Sequence, residues 1–388
     1  MVAHSMTADA HARRRGSRIT ERHQWSRGLN QIAGCDVLDV DFSRVNAAST
    51  VLWEEFLQFH PRASVFHTPG WLRALAETYD YRPRILATYG PGRTLRSALV
   101  FCDVVSWCTG RRWVSLPFTD HCDALVDSTS DTEGLLLQLA EVVQREGLRY
   151  AELRPRTSAS LLDAACRPTQ YSELVLHTVP LRASLEEILR ATHKECIRRK
   201  VKRANREGLT YAVGRDETKI LHFYQLMILT RRRLGFPPQP LKWFQNLARC
   251  LGENMAIHLA YQSNTPVAAT LTLQFRKTLT YKYGCSDRHV ANLGGTPFLF
   301  AKMFEYAKDR GLEEMDLGRS NADEPGLITF KDRLGGVQER IEYFRLPGSD
   351  ESKTNSRPWV KKLLKAGCSL APDSLLVGAG NLFYRHIG

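Results

Sequence analysis

The sequence predicts an α/β fold made of two similar units in tandem, each a mixed β-sheet flanked by helices. Three observations lead there. At 388 residues the chain is long for one hydrophobic core, so two units are the default expectation. Its 43% hydrophobic and 24% charged residues match an ordinary globular protein, which excludes disorder for the bulk of the chain. The order helix, strands, helix, strand then recurs in the second half, although no residue-level repeat accompanies it. The first unit is expected over 35–180 and the second over 181–346, with a boundary near Pro180 and a cleft between two sheets. One continuous sheet would contradict that separation.

Residues 1–34 hold six arginines against Asp9 and Glu21 and few apolar positions, which predicts a disordered basic extension. Leu52, Trp53, Phe56 and Leu57 follow a helical period that Pro61 stops. Thr68 and Pro69 announce a second helix by supplying a cap oxygen and a preset first turn. Strands are expected over Arg84–Tyr89, Arg96–Trp107 and Arg112–Leu116, then a helix over Thr132–Glu146 capped by Gly147. Strands at Tyr150–Arg154 and Leu174–Leu181 close the first half.

Ser184-Leu185-Glu186-Glu187 is a capping-box pattern, and it predicts one helix of about twenty residues ending near Gly208. Between Arg190 and Arg206 that helix carries eight basic side chains against the single acid Glu195. Such a run is either a solvated face or a phosphate-binding one. A strand at Leu209–Val213, helices at 217–234 and 241–251, and strands at Ala256–Tyr261, Val267–Phe275 and Thr278–Gly284 follow.

The stretch Thr278–Gly336 organises the second half. A strand leads into Leu293-Gly294-Gly295, and Thr296-Pro297 starts a helix reaching about Arg310. A short strand, Glu314–Gly318, ends in the polar loop Arg319–Gly326, which leads to Phe330-Lys331 on a short helix. Unpaired amides at a helix N-terminus beside a strand end suit an anionic group, although a two-glycine loop is more often a tight turn. Val337–Leu346 is a last strand, and 347–388 reads as a linker and a basic amphipathic tail around Trp359–Lys365 that either packs or touches a membrane surface.

The formal net charge of +13 argues for an acidic partner: nucleic acid, a phosphorylated substrate or an anionic lipid surface. Nine cysteines include no C-x-x-C pair, which points to reduced thiols and no metal site. With no run of about 18 apolar residues and no apolar secretion core, the expected location is cytoplasmic, or peripheral at the inner membrane surface. No G-x-S-x-G, H-E-x-x-H, P-loop or dinucleotide fingerprint occurs. Acyl transfer from an activated ester or thioester to an amine needs none of these, since orienting the reactants and placing a cation near the oxyanion supply the acceleration.

Several stretches together, Phe66-His67-Thr68-Pro69-Gly70-Trp71, Ser115-Leu116-Pro117-Phe118-Thr119-Asp120, Arg198–Gly208, Tyr283-Gly284-Cys285-Ser286-Asp287, Asp316-Leu317-Gly318-Arg319-Ser320 and Phe330-Lys331, carry a resemblance. Over about Val65–Leu346 the chain resembles the Fem-type aminoacyltransferases and their relatives, including those found beside exopolysaccharide and protein-sorting (PEP-CTERM) gene systems. The resemblance implies two acetyltransferase-like (GNAT) domains in tandem. It also implies an enzyme that moves an acyl or aminoacyl group to an amine on a phosphorylated small-molecule or lipid-linked cell-envelope precursor. No cofactor would be held permanently, and the donor would be acyl-CoA or aminoacyl-tRNA. Long coiled-coil insertions of some tRNA-using members are not visible, and Ala291–Thr296 meets the CoA-loop pattern only in part.

On that resemblance Lys331 and Asp316 are the expected catalytic residues. Arg199, Lys202, Arg203, Tyr281, Tyr283, Arg319, Ser320 and Asn321 are expected to contact substrate, and Gly294, Gly295 and Thr296 the donor. The competing readings are a nucleic-acid-binding protein using the Arg198–Arg206 helix and a non-catalytic interaction module. That helix has no interleaved aromatics to stack bases, which disfavours the first.

Overall fold

The computed structural model describes residues 31–32, 35–38, 47–90, 94–157, 168–348 and 371–387. Thirteen strands form one sheet: β1 Gln31–Ile32, β2 Cys35–Leu38, β3 Arg82–Tyr89, β4 Leu95–Ser106, β5 Gly110–Val114, β6 Tyr150–Leu153, β7 Thr169–Pro180, β8 Thr210–Gly214, β9 Met255–Gln262, β10 Thr265–Phe275, β11 Thr278–Ser286, β12 Glu314–Asn321 and β13 Val337–Pro347. Their spatial order is β1-β2-β3-β4-β5-β6-β13-β7-β12-β11-β10-β9-β8.

The expectation of two separate sheets is therefore corrected. The last strand, β13, returns to lie between β6 and β7, pairing antiparallel with both. Its long ladder to β7 satisfies backbone groups that two separate sheets would leave as edges. Pro180 ends β7, and both neighbours of β7 come from the second half. The mixed α/β character and the repeated order stand: each half contributes an antiparallel run and one parallel pair, β5–β6 and β11–β12.

Helices cover both faces. α1 Ala47–Phe59 and α2 Pro69–Tyr79 share one side with α6 Glu217–Leu234, α7 Leu241–Leu251 and the C-terminal helix α10 Asp373–Ile387. Their common core joins the halves: Trp71 of α2 meets Trp243 of α7 edge to face at 5.2 Å, a geometry worth about 0.5–1.5 kcal/mol beyond burial. Opposite them, α3 Thr129–Arg145 packs on β3–β6 and β13. α4 Leu185–Ala191 and α8 Gly295–Asp309 pack on β7, β11 and β12. Alternation along the strands divides the two cores, with Ala98, Val100 and Cys102 facing one and Leu99 and Phe101 the other.

The single helix expected after Ser184 is broken. The capping box at Ser184 forms and starts α4, but Thr192 and His193 turn extended. The Thr192 hydroxyl donates to the Leu189 carbonyl, and His193 Nδ1 accepts from the amides of Glu195 and Cys196. These local bonds replace helical ones. A π-helical turn, Lys194–Arg198, then leads into α5 Arg199–Arg206. The basic extension at 1–30 and the segment Trp359–Lys365 lie outside the described residues, whereas Gln31–Ile32 pairs with β2. The tail, read as a linker and a basic amphipathic element around Trp359–Lys365, also contains α10, which buries Leu376, Gly380 and Tyr384.

Candidate active site

The site grows from β11 and β12. They pair in parallel only from Thr278–Thr280 with Glu314–Asp316, although they run on to Ser286 and Asn321. Beyond that point they diverge at the carboxyl ends of a parallel pair, where α/β sheets open a crevice.

Each strand carries a register shift beside the opening. On β11 the partners pass from Tyr281↔Thr272 to Tyr283↔Leu271, so Lys282 is the extra residue. A bulge re-aims side chains. Tyr281 faces Phe300 of α8 at 5.1 Å, Tyr283 accepts from Trp243 Nε1 on the opposite side at 3.0 Å, and Lys282 reaches Asp120 at 2.6 Å. On β12 the shift lies between Asp316 and Arg319, where Gly318 adopts φ +69°. A Cβ on Gly318 would stand 3.3 Å from the Asp120 carboxyl carbon. Gly318→Ala should therefore cost about 1–2 kcal/mol, the price of a left-handed L-residue, before any shift of Asp120. Urea unfolding checks it, with a loss under about 0.5 kcal/mol counting against the bulge as a constraint.

α9, Pro325–Arg333, brings Lys331 against this bulge. Lys331 is 4% exposed, and its ammonium donates to the Gly318 and Arg319 carbonyls at 2.7 and 2.9 Å. A lysine ammonium has three donors, so one remains for a substrate. Reading Lys331 as one exposed charge among Lys331, Asp332 and Arg333 fails on this burial. Asp316 is buried below it, accepting from the Gly318 amide at 2.7 Å and facing His121 Nε2 at 2.8 Å.

Asp120 and His121 come from the first half, on the loop after β5. Leu116 and Phe118 take positive φ there, at 46° and 62°, with the Thr119 hydroxyl donating to the Leu116 carbonyl. Left-handed non-glycine residues cost energy and persist where surrounding structure holds them. Tyr343 of β13 donates to the Asp120 carbonyl at 2.7 Å, while Arg319 and Arg154 stand over its ring at 5.4 and 5.5 Å. The strand that joins the halves thus also fixes the loop.

Charge in the pocket is tuned by burial and neighbours. Burial alone would raise the Asp120 carboxyl, but Lys282, Arg319 and Lys331 hold it below its usual range. Burial lowers Lys331 to about 8, with Asp120 and Asp316 opposing it. Burial also pulls on His121, but the Asp316 hydrogen bond and charge carry it above its ordinary value. Lys331 titrates near 10.5 when unfolded, so between about 8 and 10.5 the unfolded chain binds the extra proton. Stability should then rise with pH through that window relative to Lys331→Met. Parallel urea titrations across it check the sign, and a flat or falling difference would contradict it.

Lys331, Asp316 and Arg319 are thus brought together, with Asn321 at the exposed end of β12 and the Ser320 hydroxyl buried without a partner among the described residues. Tyr281 lies along the wall with its hydroxyl over Gly284, and Tyr283 is turned into the core rather than toward Lys331. Gly294 and Gly295 are buried at the N-terminus of α8, where a Cβ on Gly294 would strike the Lys200 carbonyl at 2.6 Å. Close packing against α5 thus explains the first glycine, and Thr296 beside them is half-buried. Arg199, Lys202 and Arg203 are exposed on α5, with Arg199 paired to Glu195 and Arg203 to Glu207. Sequence reasoning missed Asp120, His121 and Lys282. A charged pair, Asp120-His121, directly after the apolar Leu116-Pro117-Phe118 was the available signal.

Residues 191–331 match the acetyltransferase (GNAT) domain family. Among solved structures the chain is similar to FemX, at 15% identity over 77% of this chain and 96% of that one, with a TM-score of 0.63. It is also similar to the C-terminal domain of a putative lysylphosphatidylglycerol synthetase from Agrobacterium fabrum, at 16% identity, 79% and 94% coverage and TM-score 0.52. A tandem GNAT protein from the clavulanic acid biosynthesis pathway follows at 9% identity, 81% and 100% coverage and TM-score 0.52. No curated protein sequence matches.

Proposed function

We propose, for a chain whose residues 191–331 match the GNAT domain family and whose fold is similar to FemX over 77% of its length, that it transfers an acyl or aminoacyl group to an amine on a phosphorylated cell-envelope precursor. One observation carries the reading: Lys331, with a free donor, sits beside Asp120 at the mouth of the diverging β11–β12 pair. An extended donor arm bearing amides can enter between the diverging strands. Its ester or thioester carbonyl then meets the Lys331 ammonium, which stabilises the oxyanion as the amine nitrogen attacks. Asp120 holds the incoming ammonium and takes up its proton, the new C–N bond forms, and the C–O or C–S bond breaks. The nitrogen's second proton passes to the departing alkoxide or thiolate, directly or through water, so Lys331 keeps its own proton throughout.

The exposed cations Arg199, Lys202 and Arg203 lie on the helix whose Lys200 backbone packs on Gly294, so a phosphate near the start of α8 would meet positive charge. The donor is acyl-CoA or aminoacyl-tRNA, and calorimetry with acetyl-CoA, aminoacyl-tRNA and a nucleotide-linked amino-sugar peptide separates them. Binding of one donor together with the acceptor supports transfer. Sequence-independent nucleic-acid binding without either small ligand favours the nucleic-acid module, and no binding at all favours a non-catalytic one.

A further inference from the structure

His121 takes no step in the transfer chemistry, yet its side chain is firmly built into the site. It is buried in the loop after β5, where its ring meets the edge of Phe66 at 5.8 Å, and Phe66 is itself fully buried. Its Nε2 stands 2.8 Å from one carboxylate oxygen of Asp316 on β12. Asp123 in the same loop, Arg156 beyond β6 and the neutral His67 are the other titratable groups that act on it. Asp316 is only 2% exposed, so its carboxylate needs protein partners to stay ionised away from water. His121 supplies one and the Gly318 amide the other.

A continuous run of hydrogen bonds leads from that imidazole to the lysine. Asp316 Oδ1 accepts from the amide two residues on, an Asx-type turn that closes the left-handed bulge at Gly318. The carbonyls of Gly318 and of the next residue, Arg319, then accept from Lys331 Nζ at 2.7 and 2.9 Å. Every link is buried or partly buried, so none is exchanged for water without cost. Without His121 the Asp316 carboxylate would stay buried on a single hydrogen bond. It would then turn toward solvent or take up a proton, and either change loosens its hold on Gly318.

We propose that His121 is a positioning residue: through Asp316 and the Gly318 bulge it fixes the carbonyl cradle that aims the Lys331 ammonium. It lies outside residues 191–331, which match the GNAT domain, so the site in the second half is incomplete without a side chain from the first. Adjacent residues of one loop then hold two different groups. Asp120 holds Lys282 at 2.6 Å, and His121 holds Asp316 at 2.8 Å. The kinetic consequence rests on the transfer reading, in which Lys331 serves the oxyanion, whereas the placing of Lys331 by His121 does not.

Two measurements on the full chain test it. The first uses no substrate: urea unfolding between pH values of about 8 and 10.5 compares each His121 variant with the same variant carrying Lys331→Met. Wild type and His121→Gln, whose amide nitrogen reaches about as far as Nε2, should show the rise in stability that a buried Lys331 confers there. In His121→Leu the ammonium leaves its cradle and titrates nearer 10.5, so roughly half or more of that rise should vanish. The second is kinetic. His121→Leu should lower kcat by about tenfold or more with KM within about twofold, and His121→Gln should restore most of the loss. In the Lys331→Met background His121→Leu should slow the reaction no further, whereas a role in folding alone would slow both backgrounds alike. His121→Asn, too short to reach Asp316, replaces the leucine variant if that one does not fold. The proposal is overturned if most of the stability rise survives His121→Leu, if that variant turns over as wild type does, or if it slows the wild-type and Lys331→Met proteins equally. If wild type itself transfers nothing, the transfer reading fails and the urea comparison still decides the placing of Lys331.

Discussion

Lys331→Met is expected to lower turnover by roughly 10²-fold or more, the scale on which loss of an oxyanion donor is felt. The ammonium is held by the Gly318 and Arg319 carbonyls, both on the strand that bends at Gly318. That cradle fixes its position before substrate arrives, so the donor costs no reorganisation during the reaction. The methionine fills the same volume but leaves the two carbonyls short of a partner, and a stability loss of about 1–3 kcal/mol should accompany the kinetic effect. Lys331→Arg separates the two, since it keeps a cation while altering its reach. Because burial lowers Lys331 to about 8, a rate that depends on its charged form should fall as pH rises through that value. The arginine variant, which stays charged, should lose that basic limb.

Asp120→Asn should have the largest effect on both stability and rate. Lys282 is deeply buried and spends its charge on Asp120 at 2.6 Å. Removing one partner of a buried pair costs about 3–5 kcal/mol, and the partial exposure of Asp120 places this case at the lower end. Turnover should fall by roughly 10²–10⁴-fold with loss of the group that receives the amine proton. The double variant Asp120→Asn/Lys282→Met distinguishes the two causes. It should regain most of the lost stability, having no unpaired buried charge, yet remain as slow as the single variant. Recovery of rate along with stability would make Asp120 a structural partner of Lys282 only.

The second half was more legible than the first, for physical reasons. Helices at 217–234 and 241–251 and the strand–loop–helix–strand run from Thr278 obey local periodicity and capping, so their signals are complete within each segment. Phe330-Lys331 was placed by resemblance, and its burial against Gly318 agrees with a constrained role rather than a solvated one. Long-range pairing left no such mark. Nothing local to Val337–Pro347 says that it lies between β6 and β7, and that insertion merges the sheets and, through Tyr343, holds the Asp120 loop. Tyr283 was misplaced because a strand's alternation puts residues two apart on one face, and the bulge at Lys282 reverses it. The break at Thr192-His193 lay hidden under a strong helical pattern, since side-chain caps competed there with helix propensity.

The central claim is that the Lys331–Asp120 opening carries acyl transfer to an amine. Single-turnover assays with the donor that binds in calorimetry, comparing wild type, Lys331→Met and Lys331→Arg at matched donor saturation, test it most directly. The account predicts a new amide on the acceptor amine with wild type, about 10²-fold slower formation with Lys331→Met, and partial recovery with Lys331→Arg. Amide formation by Lys331→Met within about twofold of wild type would contradict it.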